Sequence, residues 1–217
     1  MARPPQQPRR EDVSPEELDA YDAVISRVRT RLGAPPGPPE QHFDAGPYFG
    51  VMLVSPTLCH LVSQMGAFLV TRGNQPGSYS HADREFAEQV LCATWKTNAG
   101  QNVHIADAVR TGVRLEAIEA LRSGAEEQLT EDERLVTTYI RQVVEGVTED
   151  EIYAAMEQRL GTRGLFEYTA FILWLHWTIR MEQWVKLPMA SDAELEQLMA
   201  ELRAGGAPDN DFAMRIA

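Results

Sequence analysis

The chain has 217 residues, of which 44% are hydrophobic and 24% charged, with a formal net charge of −12. That length builds one domain, or at most two small ones, around a sizeable core. The acidic balance argues against a nucleic-acid surface and an anionic-membrane surface, both of which need clustered Lys and Arg; it leaves room for an anionic small molecule held by local Arg or Lys.

Two cysteines, Cys59 and Cys92, fit a reducing compartment better than a disulfide framework. The opening MARPPQQPRRED has no apolar segment of the signal-peptide kind, and the most apolar later stretch, Phe166 to Trp177, is too short and polar-flanked to span a bilayer. A cytoplasmic protein is expected.

Residues 1–12 are polar and Pro-rich and read as a flexible tail, followed by a single domain over 13–217. Helix starts then recur. Ser14-Pro15 and Ser55-Pro56 place a capping serine before a proline. Ser80 leads into His81-Ala82-Asp83, and Thr130, Thr148 and Ser191 each stand three residues before a glutamate, the capping-box spacing. Gly112, Gly124, Gly146 and Gly161 mark stops. Between them apolar residues return every three or four positions, as at Leu135, Tyr139, Ile140, Val143 and Val144, and no segment alternates as a strand would. The expectation is an all-α domain of seven or eight helices.

Residues 35–48 (PPGPPEQHFDAGPY) hold five of the 13 prolines and read as a loop: either a plain surface connection or, through His42, Phe43 and Tyr48, a pocket wall or subunit contact. Residues 72–79 read as a second loop, before the helix that opens at Ser80.

That helix carries Arg84-Glu85 and runs to Thr97. Asn98 is expected to cap a second helix, on which Gly100, His104 and Ala108 share a face with Thr97 just ahead of them. Along one straight helix Glu85 and His104 would stand roughly 28 Å apart. They meet only if the chain turns near Thr97–Gly100. A carboxylate beside an imidazole is a proton-transfer pair, the carboxylate orienting the ring and raising its basicity. Against this, His104 also reads as a core or capping residue, and Glu85 as a partner of the helix dipole. Small residues beside His104, Gly100 above all, leave room for a ligand or for a tightly packed neighbour. Trp95 and Lys96 lie just before the turn. Lys96 suits a substrate carboxylate or plain solvation, and Arg72 and Arg84 are open to the same two readings. His176 lies in an apolar helix (FILWLHWTIRMEQW) expected to be buried between neighbours or subunits; it is a core residue or lines a pocket. Cys59-His60 point to different helix faces and make a poor nucleophile–base pair. No His-Glu-x-x-His, zinc-type cysteine spacing or phosphate loop occurs, so no metal or cofactor is expected.

Arg84-Glu85, His104, Ala108-x-x-x-Gly112, GVRLEAIEAL (112–121), LTEDERLV (129–136) and GVTEDEIYAAMEQRLGTRGLFEYTAFI (146–172) stand in an order and spacing that resembles the carboxymuconolactone decarboxylase and alkyl hydroperoxidase D-like (AhpD-like) superfamily, over roughly residues 50 to 185. The resemblance implies an orthogonal helical bundle built around a helical hairpin and assembled as a homo-oligomer. It places the hydroperoxidase glutamate on Glu85 and the histidine on His104, and the two cysteines on Thr97 and Gly100. Peroxide reduction needs a thiolate and a resolving thiol, and neither position has one. The decarboxylase branch's aromatic-Glu-Trp run is replaced by Ala99-Gly100-Gln101. What the resemblance then implies is a cofactor-independent decarboxylase, or related lyase or isomerase, acting on a small carboxylated or phenolic molecule through His104 and Glu85. The alternative is a non-catalytic binding or assembly member.

Overall fold

A computed structural model describes residues 6–38, 41–73 and 75–206. Residues 1–5 of the expected tail, and 207–217 of the expected domain, lie outside them. Among the described residues there are nine α-helices and no strand: α1 (Leu18–Arg31), α2 (Gly46–Met52), α3 (Pro56–Arg72), α4 (His81–Thr94), α5 (Gln101–Thr111), α6 (Leu115–Ser123), α7 (Glu131–Glu145), α8 (Asp150–Val185) and α9 (Asp192–Arg203). The all-α class holds, with one helix more than expected. None of these helices is long and apolar enough to cross a membrane.

The extra helix is α2, which starts at Gly46-Pro47 inside the stretch expected to be loop. Proline at the first turn costs nothing there, because that amide has no helical acceptor. Ahead of it, His42 and Phe43 line a pocket of about 280 Å³ with Tyr21 and Arg10. Residues 6–12 are pinned rather than loose. The Gln7 side chain donates to Phe43 O at 2.8 Å and accepts from Ala45 N at 2.9 Å, and Arg10 grips Asp22 through two 2.8 Å bonds.

Three capping boxes form with both arms, at Ser80/Asp83, Thr130/Glu133 and Ser191/Glu194. Thr148 forms none. Gln142 donates to Glu149 Oε2 at 3.0 Å and accepts from Glu149 N at 3.1 Å, so α8 is capped at Glu149, one residue later. Ser14 and Ser55 occupy cap positions without a side-chain bond. Gly112, Gly124 and Gly146 terminate helices as expected. Gly161 does not: with φ +68° and ψ 161° it kinks α8, which continues on the other side.

α4 is the centre. It packs against α5, α6, α7 and α8 and is buried from Asp83 through Cys92. Its apolar residues Val90 and Leu91 join Ile105, Ile118, Ile140 and Tyr168 in the main core. A smaller cluster, with Tyr21, Val24, Val28 and Leu53, joins α1 to α3 and takes Trp177 and Met181 from α8. α8 is not buried all round: Phe166, Leu173 and Trp184 are largely exposed, because the helix lies at the edge of both clusters.

Candidate functional site

A central helix that buries Arg84, Glu85, Glu88 and Gln89 is unusual, since such residues stay in water unless they are paired or working. After α4 the chain turns through Thr97–Gly100 and α5 comes back against it. Gly100 enters α5 with φ +64°, a left-handed conformation that glycine adopts without steric cost. Asn98 does not cap α5; its amide donates to Ala190 O at 2.9 Å and Asp192 Oδ1 at 2.8 Å, tying the turn to the start of α9.

The turn brings Glu85 and His104 into contact. His104 Nδ1 lies 2.8 Å from Glu85 Oε2 and 3.2 Å from Glu88 Oε2. The other Glu85 oxygen lies 3.4 Å from His81 Nε2, which is 3.1 Å from Asp107 Oδ2. Arg110 closes the row on Asp107 Oδ1. One carboxylate thus sits between two imidazoles, fed by one helix at positions i, i+4 and i+7 and by the other at i and i+3. With Nδ1 turned to the carboxylates, Nε2 is the ring nitrogen left without a partner among the described residues, and the side chain keeps 25% of its surface exposed.

Gly100 clears that exposed edge. A Cβ built on it would stand 3.1 Å from His104 Cδ2, 3.7 Å from Nε2 and 3.2 Å from Glu88 Oε1. Any larger residue would fill the space beside both groups.

Burial alone would depress His104, but the Glu88 and Glu85 carboxylates prevail and hold it at about 10. Burial would raise Glu85, yet His104 and then His81 pull it down to about 2. Glu88 goes the other way: burial raises it to about 8 against the pull of His104, with Glu85 and Glu182 adding to the rise. Burial likewise lifts Glu182 on α8 to about 7, with His104 opposing. At neutral pH the site therefore holds an imidazolium beside an ionised Glu85.

These shifts set a stability profile. The lowered Glu85 stabilises the fold above its unfolded value near 4.5, and that contribution is lost as pH falls through about 2. The raised His104 contributes fully below 6.5 and loses its contribution as pH rises through about 10. Protonated Glu88 contributes fully below 4.5 and loses its share as pH rises through about 8. The urea midpoint should fall steadily between pH 7 and 10. Glu88→Gln should flatten the lower half of that fall; an unchanged slope would show that Glu88 titrates normally.

Two sets of ligand atoms are close enough to hold a cation, His81/Glu85/Asp107 and Glu85/Glu88/His104, sharing Glu85. Arg110 on Asp107 opposes an ion at the first, and an ion at the second would displace the Nδ1 proton of His104.

The other expected site residues go elsewhere. Trp95 stacks on His176 at 5.2 Å and lies under the Arg180 guanidinium at 4.6 Å, so its ring is already covered. Burial and then Arg180 hold His176 low, hence neutral. Lys96 is exposed on an open cleft of about 1010 Å³ lined also by Thr97, Arg122, Arg141 and Lys186. No contact among the described residues joins Trp95, Lys96 or His176 to His104, and the cleft does not reach it. Arg72 is paired to Glu167 at 3.1 Å, while Arg84 is buried with its Nε and one terminal nitrogen unbonded, beside Glu85 and Asp107. Cys92 is buried mid-helix, its thiol pushed well up by burial, and Cys59 is raised by burial to about 11; neither is a poised nucleophile. Glu88, His81 and Asp107 have no signal in the sequence beyond their spacing on two amphipathic helices.

Compared with known proteins, the chain matches no family model, no curated protein and no solved structure.

Proposed function

We propose that the chain is a cofactor-independent acid–base enzyme that decarboxylates, or otherwise cleaves or isomerises, a small carbonyl compound bearing a carboxylate or phenol. The observation that carries this is His104, charged by Glu85 at 2.8 Å on its Nδ1 side and open at its Nε2 edge beside Gly100. A fixed cation of this kind is an acid. Acid assistance is what loss of carbon dioxide from a β-keto acid needs: the C–C bond breaks, its electron pair becomes the enolate, and the Nε2 proton passes to the enolate oxygen. The enol then tautomerises and solvent returns the proton to His104. The resemblance to the carboxymuconolactone decarboxylase-like superfamily supports the same reaction class, with an alkyl hydroperoxidase D-like bundle as its fold. A panel of β-keto acids and lactones, with chelator present, tests it. Turnover of at least one compound, undiminished by the chelator, is expected; no turnover across the panel would favour a non-catalytic binding member.

The same resemblance supports a homo-oligomer, as the two reduced cysteines support the cytoplasm, and α3 supports the contact. Residues 45–71 contain no Asp, Glu, Lys or Arg. Leu58, Leu61, Met65 and Phe68 of α3, with Val54 in the turn before it, are each 44–57% exposed, the helical four at spacings of three, four and three. That is the seam by which two copies of one helix pair, and in a chain of charge −12 it is where a second copy meets least repulsion. Leu61→Glu with Met65→Glu should leave a folded monomer by light scattering; an unchanged mass would move the contact elsewhere.

A further inference from the structure

We propose that Glu85, Glu88 and His104 form a site for one divalent cation of the zinc class, bound through Glu85 Oε2, Glu88 Oε2 and His104 Nδ1. The ion's effect on turnover rests on the acid–base reading above; its binding does not.

The three atoms come from two helices, so no local ligand motif announces them. Glu85 and Glu88 lie one turn apart on α4, and the turn at Thr97–Gly100 lays His104 of α5 against both. His104 Nδ1 stands 2.8 Å from Glu85 Oε2 and 3.2 Å from Glu88 Oε2. Two ligand atoms about 2.1 Å from one ion, at octahedral or tetrahedral angles, stand roughly 3.0–3.4 Å from each other. The three groups therefore need only small adjustments to share an ion, and the exposed edge of His104 gives it a way in.

Glu88 is the independent sign of a ligand. It is 7% exposed, and no backbone or side-chain group among the described residues donates a hydrogen bond to it beyond the 3.2 Å approach of His104 Nδ1. Glu85 already takes the bond from that nitrogen at 2.8 Å, so Glu88 is surplus to holding the ring. A carboxyl group buried without a donor is costly, and a cation between these three side chains supplies the partner it lacks. Asp107 of α5 and Glu182 of α8 add negative charge around Glu88, which draws a cation, while Arg84 beside Glu85 offsets part of it. Gly100 has no side chain to close over Glu88 Oε1, where a Cβ would come within 3.2 Å.

One imidazole with two carboxylates suits a zinc-class ion better than Mg²⁺ or Ca²⁺, which take oxygen ligands. His81, Glu85 and Asp107 make the poorer set, because the Arg110 guanidinium already holds Asp107. The ion takes the Nδ1 lone pair, and the proton carried there leaves to solvent. A ring so bound is no longer an imidazolium. The ion is therefore an inhibitor of the acid chemistry and not its cofactor.

The probe is Zn²⁺ alone, added to the full-length protein carrying ¹⁵N-labelled histidine, with the His104 ring assigned by comparison with His104→Ala. One equivalent should shift Nδ1 of His104 and leave its Nε2 protonated. Competition with a chromophoric chelator should show Glu88→Gln binding at least about tenfold more weakly than wild type. A His104 ring unmoved at about 0.1 mM Zn²⁺, a shift at His81 in its place, or equal affinity in Glu88→Gln would overturn the proposal. The ring spectrum is read on wild type, so a Glu88→Gln variant that failed to fold would not spare it. Both readouts are binding, so their failure is distinct from failure of the decarboxylase reading, which turnover decides.

Discussion

His104→Ala should lose roughly 10²- to 10⁴-fold in turnover of whichever panel compound the wild type converts, the range for removing a positioned acid. Circular dichroism should accompany the assay, because His104 is also the partner that holds the buried Glu85 carboxylate ionised. Glu85→Gln should cost less, about tenfold to a hundredfold, by removing one charge-assisted bond and leaving the ring both less basic and less well aimed. The two losses should not add. Glu85 acts only through His104, held 2.8 Å away, so the double variant should be no worse than His104→Ala. Turnover equal in wild type and both single variants would dismiss the pair as structural. Lys96→Ala discriminates further. Lys96 stands on the open cleft, which does not reach His104, so its loss should leave both KM and kcat unchanged.

The largest effect on stability is expected at Tyr168, which is fully buried between Tyr79, Tyr139 and Phe171, with ring centroids 5.2, 6.5 and 6.4 Å away. Its hydroxyl donates to Asp83 O at 2.9 Å, in the first turn of α4. Tyr168→Ala should cost about 3–5 kcal/mol, the range for deleting a large aromatic side chain from a core. In a chain of this length each kcal/mol lowers Tm by about 2–4 °C, so the drop should be on the order of 10 °C. Tyr168→Phe removes only the hydroxyl bond and should cost about 1 kcal/mol. Urea unfolding of the three proteins measures both steps. A loss below 1 kcal/mol for the alanine variant would mean that α8 does not anchor α4.

The way Tyr168 and Ser80 fix the first turn of α4 shows how much of the site the sequence discloses. The capping serine, the nineteen-residue spacing of Glu85 and His104 and the glycine between them are enough to expect a turn and a carboxylate–imidazole pair. Gly161 misleads as a stop because a glycine with positive φ can also bend a helix that tertiary packing carries onward, and the α7–α8 contact does so here. Thr148 misleads because a remote side chain, Gln142, competes for the cap. Glu88 is invisible for a different reason. At i+3 from Glu85 it reads as any polar position on a helix, and only the burial of α4 on every side turns it into a carboxyl that keeps its proton. His81 and Asp107 join the row for the same reason, through packing of α4 on α5. Trp95 and His176, by contrast, attract notice as aromatic and imidazole groups, and the fold uses them on each other.

The protonation state of His104 is the centre of the account, since an acid at Nε2 requires a charged ring. The ¹⁵N spectrum of the His104 ring between pH 7 and 9, assigned by comparison with His104→Ala, reads it directly. Two protonated ring nitrogens through that range, giving way to a neutral ring only near pH 10, are predicted. A ring already neutral at pH 7.5 would contradict the account, because His104 would then be a base.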